Sequence, residues 1–275
     1  MRDIELALRD RFGEEISVPE DVGPAGELAN LARRRVHRTW SDRPVSDELV
    51  RLLCAIALCA PSKSDLQQRD IIVIDDPVTR ERIANLLPHM PWVRAAPRFL
   101  VFCANGGRVR DVSSLRGKPF PNNHLDLFFN AVGDAAIALS TCLVAAESVG
   151  LGACPISEIR NHATEIDRML ELPAQVIPFA GLCLGWPGGE GQMSPRLPLG
   201  MTLHTDRYRQ PPLEETLQTY DRRREVLQPY ERQYQPERWG VASSYGWSEQ
   251  KARQYAVPQR VEFGRYVRLK GFVLE

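Results

Sequence analysis

Neither sign of charge is in excess: 35 Lys+Arg stand against 35 Asp+Glu in 275 residues, a formal net charge of +0. A balanced total offers no electrostatic footprint for nucleic acid or an anionic membrane. Cysteine is sparse, at 54, 59, 103, 142, 154 and 183, with no CxxC pair and mostly within apolar runs. That spacing gives no zinc-ligand set and reads as reduced, buried thiols of a cytoplasmic protein. The most apolar stretch, 131–146, is interrupted by Asp134 and falls short of the roughly 20 residues that a bilayer demands. The first fifteen residues are charged throughout and lack the apolar core of a secretory signal. There is no G-x-S-x-G, P-loop, H-E-x-x-H or strand-following G-x-G-x-x-G, so hydrolase, kinase, zincin and Rossmann readings find no support. The five histidines (37, 89, 124, 162, 204) are dispersed, and each reads as structural or exposed rather than catalytic.

What is present is an ordinary soluble composition, 43% hydrophobic and 25% charged, with enough chain for a large core. Residues 1–30 read as an appendage, with Gly23, Pro24 and Gly26 marking the break. Ser46 caps a predicted helix over 47–59, whose first turn carries Asp47 and Glu48 and whose apolar face is Leu49, Leu52, Leu53 and Ile56. Ile71-Ile72-Val73-Ile74 and Phe99-Leu100-Val101-Phe102-Cys103 read as buried strands, with a short helix over 80–87 between them. The segment 125–149 reads as one long Ala-rich helix, apolar near its centre on almost every face, which must be covered all round. The pattern alone suits a dimer seam and a monomer core equally. A short helix within 159–170, an apolar strand over 176–186, a Pro/Gly loop over 187–200 and helical fragments near 213–227 and 248–255 follow. The class is α+β: a small, mostly antiparallel sheet flanked by helices. The expected division is 1–30, 31–208 and a C-terminal extension, 209–275, wrapping the main body or a partner subunit.

Four segments could carry chemistry. Arg33, Arg34, Arg35 and Arg38 put four guanidinium groups in six residues, a set suited to phosphate. The loop Ser62-Lys63-Ser64-Asp65-Leu66-Gln67 gathers hydroxyls, an ammonium and an amide. The stretch from Gly150 to Asn161 follows the long helix and could aim backbone N–H groups at a ligand. Arg196 sits between two stiffening prolines, Pro195 and Pro198. Taken singly, the arginine run is better read as a solvated turn and the 62–67 loop as a polar connection; Gly150 onward is also a glycine helix stop, and a lone arginine in a Pro-rich loop carries little weight.

Together, and in this order, they resemble the FMN-dependent nitroreductase family, closest to its oxygen-insensitive NADPH nitroreductase and flavin reductase group. The resemblance is carried by Ala145-Ala146-Glu147-Ser148-Val149-Gly150-Leu151-Gly152, Ile159-Arg160-Asn161, Gly181-Leu182-Cys183-Leu184-Gly185-Trp186-Pro187 and Pro195-Arg196-Leu197-Pro198. It covers about 30–208 well, the tail loosely, and leaves 1–30 outside. It implies a homodimer with FMN at the subunit interface and the long helix in that seam. It implies NADPH (or NADH) as donor, and nitroaromatic, quinone or flavin acceptors reduced by ping-pong hydride transfer. Arg34, Arg35 and Arg196 match phosphate positions, and Arg38 the basic residue beside flavin N1 and O2. Ser62, Lys63, Ser64 and Gln67 match the loop on the isoalloxazine and ribityl. Pro155, Ile156, Ser157 and Glu158 match the segment near N5 and O4. Flavin N5 carries the hydride, so no protein side chain is expected to be catalytic, and no metal is implied. The subgroup likeness also makes Arg222, Arg223, Arg224 and Arg238 candidates for a 2′-phosphate. The chain departs from the pattern with Val36 for Ser, Ser194 for Lys, Asp65 for Asn, and Ser157-Glu158 for Gly-Gly; Arg33 is the candidate to make good the missing lysine. Two alternatives stay open: a dedicated FMN reductase or oxidase for one metabolite, and a flavin-binding protein without turnover.

Overall fold

The computed structural model describes residues 2–19, 21–22 and 25–275; Gly23 and Pro24 of the expected break lie outside the described residues. In chain order the helices are α1 (Arg2–Phe12), α2 (Gly26–Arg33), α3 (Asp47–Leu58), α4 (Pro77–Leu86), α5 (Pro91–Ala95), α6 (Gly107–Leu115), α7 (Leu125–Ser148) and α8 (Ala163–Leu170). The tail adds α9 (Leu213–Leu227), α10 (Pro236–Trp239), α11 (Trp247–Tyr255) and α12 (Phe263–Leu269). The strands are β1 (Arg69–Val73), β2 (Arg98–Asn105), β3 (Gly152–Ile156) and β4 (Val176–Gly185). Packing divides the chain into two compact units, neither of them continuous in sequence: Met1–Arg35 with Gln192–Gln259, and Val36–Gly191 with Arg260–Glu275.

The larger unit is built on a sheet in the order β1-β2-β4-β3, antiparallel at every pairing. Alternation along β2 sorts its side chains between two layers. Phe99, Val101 and Cys103 face Ile83, Val93, Ile159 and Ile166, from α4, α5 and the α8 region. Leu100 and Phe102 face Val50, Leu53, Ala57, Ala138, Cys142 and Ala146, from α3 and α7. Both faces are therefore covered, and the strands read as continuous apolar runs for that reason.

Local chemistry explains the helix ends. Ser46 accepts from the Leu49 N–H at 3.2 Å, and Asp76 accepts from the Thr79 N–H at 2.8 Å with Pro77 in the first helical position. At the end of α7, Gly150 takes φ +84. Its N–H reaches the Glu147 carbonyl at 3.1 Å and the Leu151 N–H reaches that of Ala146 at 2.9 Å, the paired bonds of a Schellman stop. One expectation needs correcting. The buried face of α3 is Val50, Leu53 and Ala57, whereas Leu52 and Ile56 are 53% and 43% exposed.

The smaller unit holds α1, α2 and α9–α11. Its apolar packing is modest: Ile4, Ala7 and Ala32 with Leu8, Val18 and Ala29, and an edge-to-face pair of Tyr220 and Trp247. Much of its cohesion is arginine on backbone carbonyls.

Candidate functional site

In the larger unit, the extended segment before α3 is laid along β3. The His37 N–H donates to the Ala153 carbonyl at 3.2 Å, and the Gly188 N–H to Thr39 at 3.0 Å. Glycine permits this: a Cβ on Gly152 would meet His37 Cβ at 2.7 Å, and one on Gly188 would meet the Trp40 carbonyl oxygen at 2.6 Å. Arg38 is thereby set with its guanidinium over the Trp92 ring, 4.7 Å from the centroid, a cation–π arrangement. Trp92 is itself held by its carbonyl, which accepts from Trp40 Nε1 at 3.1 Å. Beneath them lies the Cys154 thiol; burial pushes its pKa up, opposed by Arg38 and Trp92. β3 then delivers Pro155 and Ile156 into a 3-10 turn over Ser157–His162, whose Ser157 carbonyl accepts from Arg260 at 3.4 Å. Arg38 and the 155–158 segment therefore share one end of the larger unit. Pro155 and Ser157 are exposed, Glu158 is half-buried and Ile156 is core.

The Ser62–Gln67 loop is elsewhere in that unit. It leads into β1, one edge of the sheet, whereas residues 155–158 leave β3, the other edge. Three strand spacings separate those edges, about 14 Å. The loop is tightly specified. Ser64, Asp65 and Gln67 all take left-handed φ (49, 55 and 51°), costly for non-glycine residues unless the surroundings over-determine them. What over-determines them is Asp134, near the middle of α7 and 2% exposed. Its carboxylate accepts from Ser62 Oγ at 2.7 Å, the Lys63 N–H at 3.1 Å and the Gln68 N–H at 2.9 Å, and pairs with Arg69 at 3.5 Å. Arg69 in turn donates to the carbonyls of Leu58 and Ala60 at 2.9 and 2.8 Å, closing the C-terminal end of α3. Burial would raise the Asp134 pKa, but these donors outweigh it and hold the group below the usual carboxylate range. The Ser62 hydroxyl is engaged inside the loop, also accepting from the Gln67 N–H at 2.7 Å. Lys63, Ser64 and Gln67 are the exposed members. Asp134 was not among the candidate site residues; its signal was the single charge in the apolar stretch 131–146 of α7.

In the smaller unit, Arg34 caps α2 and Arg35 follows it, both half-buried, while Arg196 is exposed. Arg196 Nη1 folds back onto the carbonyls of Ser194 and Pro195 at 3.1 and 3.3 Å. Arg33, the candidate to make good the missing lysine, pairs here with Asp3 at 2.7 Å. Of the 2′-phosphate candidates, Arg223 is committed to the backbone carbonyls of Asp10, Arg11 and Arg196. Arg222 donates to Thr219 Oγ1 at 3.2 Å, and Arg224 and Arg238 lie over Tyr230 and Trp239.

What these groups offer is cations, exposed backbone and a shaped loop. Three buried thiols are poor nucleophiles: burial pushes Cys103 and Cys142 up to about 12, and Cys183 higher still.

Residues 31–186 match the Nitroreductase family and 194–275 the Nitroreductase family, C-terminal domain. The FMN reductase [NAD(P)H] of Bacillus subtilis is 31% identical over 233 residues, covering 83% of this chain and 90% of that protein. The oxygen-insensitive NADPH nitroreductase of Salmonella typhimurium is 36% identical over 203 residues, covering 73% and 80%. Among solved structures, that of Bacillus megaterium NfrA2 superposes with a TM-score of 0.81 at 30% identity, covering 90% of this chain and 98% of its own. The chain belongs to the nitroreductase family.

Proposed function

We propose that this protein is an FMN-dependent oxidoreductase that takes electrons from NADPH or NADH and passes them to small nitroaromatic, quinone or flavin acceptors in the cytoplasm. The observation that carries this reading is the placement of Arg38. A guanidinium is held over the Trp92 ring, 4.7 Å from its centroid, near the start of the 155–158 segment and beside a Cys154 thiol whose pKa burial raises. Such a group suits a negative charge that develops on a ligand rather than acid–base work by the protein. FMN, when bound, supplies the hydride chemistry at its N5. The residues present fit it. Arg34, Arg35 and Arg196 would hold the phosphate. Arg38 would neutralise the N1–O2 edge of the reduced ring, and the backbone of Pro155, Ile156, Ser157 and Glu158 would orient N5 and O4. Ser62, Lys63, Ser64 and Gln67 form the other ring-facing loop, fixed by Asp134. Because that loop and residues 155–158 occupy opposite sheet edges, a flavin touched by both takes them from two copies of the chain. The reading therefore includes a homodimer, and the exposed Leu52, Ile56, Phe129 and Ile137 of α3 and α7 are its natural seam.

The test is the visible spectrum of the purified protein. An FMN spectrum is expected, bleached anaerobically by a stoichiometric addition of NADPH or NADH. A colourless protein that takes up no FMN on reconstitution would refute the assignment.

A further inference from the structure

The N-terminal thirty residues precede the family match, which begins at 31, and nothing above gives them a task. Within the smaller unit they hold one unusual side chain. Arg11, in the last turn of α1, is only 5% exposed. Arginine is buried so deeply only where its donors are met, and here they are met by backbone carbonyls of two distant segments. Nε donates to Ala32 at 2.5 Å and Nη2 to Arg34; Nη1 donates to Ser194 at 3.2 Å. The main chain of Arg11 completes the clasp. Its carbonyl accepts from the Arg196 N–H at 2.6 Å and from Arg223 Nη2 at 2.8 Å, and the same Arg223 nitrogen reaches the Arg196 carbonyl at 2.6 Å. Three residues on, Glu14 accepts the Leu199 N–H at 2.9 Å.

One guanidinium thus joins the backbone from which Arg34 projects to the backbone that leads into Arg196. We infer that Arg11 is a positioning residue for the phosphate clamp: the N-terminal helix sets the launching points of Arg34 and Arg196 so that both converge on one phosphate monoester. The inference rests on the reading of those two arginines as FMN phosphate ligands. It gives the appendage a role suited to this chain, in which Val36 and Ser194 have replaced two polar positions of the family pattern. A fork-shaped donor gains on phosphate only when its geometry is fixed before binding. Arg11 touches no ligand itself, since its donors are spent on carbonyls.

The experiment compares FMN with riboflavin, which lacks the phosphate, by fluorescence titration of the full-length apoprotein, with thermal melting of each apoprotein alongside. For Arg11→Met, FMN affinity is expected to fall about tenfold or more while riboflavin affinity moves by less than about threefold, so the preference for FMN collapses. Arg11→Lys, with fewer donors, should fall between. If Arg11→Met does not melt cooperatively, Arg11→Lys and Arg223→Met carry the comparison, with the same loss of preference expected. A folded variant that keeps the wild-type FMN-to-riboflavin ratio, or loses both flavins equally, overturns the role of Arg11. A wild-type protein that binds FMN no better than riboflavin overturns the phosphate reading itself, and the inference with it.

Discussion

At the scale of single residues, Asp134 is the most consequential acid in the larger unit. Its oxygens collect a hydroxyl, two backbone N–H groups and a guanidinium, all away from solvent. Removing one member of such a buried pair leaves the other uncompensated and typically costs 3–5 kcal/mol, well beyond a surface ion pair. Asp134→Ala is therefore expected to lose about 3–5 kcal/mol in urea unfolding, with Arg69 left facing the carbonyls of Leu58 and Ala60 alone. The pH dependence follows from the depressed pKa. The folded state binds this proton more weakly than the unfolded chain does, so the stabilisation is fully present above the unfolded value, about 4. It is lost as pH falls through the lower, folded value. The wild type is expected to lose stability below about pH 4 more steeply than Asp134→Asn, in urea titrations at stepped pH. Parallel curves would show that Asp134 is not the group responsible.

At the scale of elements, α7 shows how one helix supports segments at opposite edges of the sheet. By length and composition it could cross a membrane, yet it packs on α3 and the sheet and spends its one central charge on the Ser62–Gln67 loop. Its other end must stop sharply so that β3 can begin at Gly152 and carry residues 155–158 into place. Gly150 makes that stop at φ +84, and a Cβ there would meet only Trp186 Cζ3 at an ordinary 3.6 Å. The penalty for a side chain is thus conformational rather than steric. Gly150→Ala is expected to cost about 1–2 kcal/mol with the fold retained, measured by chemical denaturation. A neutral result would mean that the stop is set by the paired carbonyls of Ala146 and Glu147 rather than by the left-handed residue.

At the scale of the whole molecule, the apolar side chains left outside on α3 and α7 are the outstanding feature. Leu52, Ile56, Phe129 and Ile137 are 53, 43, 72 and 41% exposed, on two helices that pack against each other. A seam there fits the proposed flavin site, whose two candidate loops, 62–67 and 155–158, lie at opposite edges of the sheet. The double variant Ile56→Glu, Phe129→Asp is expected to sediment at the 31.1 kDa of a single chain, where the wild type runs at twice that, and to lose FMN as it dissociates. Buried like charges at a shared seam cost far more than the seam's rim could restore. A monomeric variant that keeps its FMN would separate the dimer from the cofactor site.

Much of this was legible from residue order alone. Ser46, Gly150 and the apolar runs at 71–74, 99–103 and 176–186 state their local conformations, because caps, left-handed stops and doubly buried strands depend on near neighbours. The likeness carried by Gly150-Leu151-Gly152 and Pro195-Arg196-Leu197-Pro198 placed the chain in its family for the same reason: short, spaced phrases survive without their context. What residue order left open is everything that depends on residues far apart meeting. The periodicity of α3 assigned Leu52 and Ile56 to the core, since a hydrophobic stripe says that a face will be covered but not by what. Arg33 pairs with Asp3, Arg223 serves backbone carbonyls, Asp134 organises a loop some seventy residues away and Arg11 one beyond 190. A charge finds its partner by folding, and a linear pattern carries no record of which partner that is.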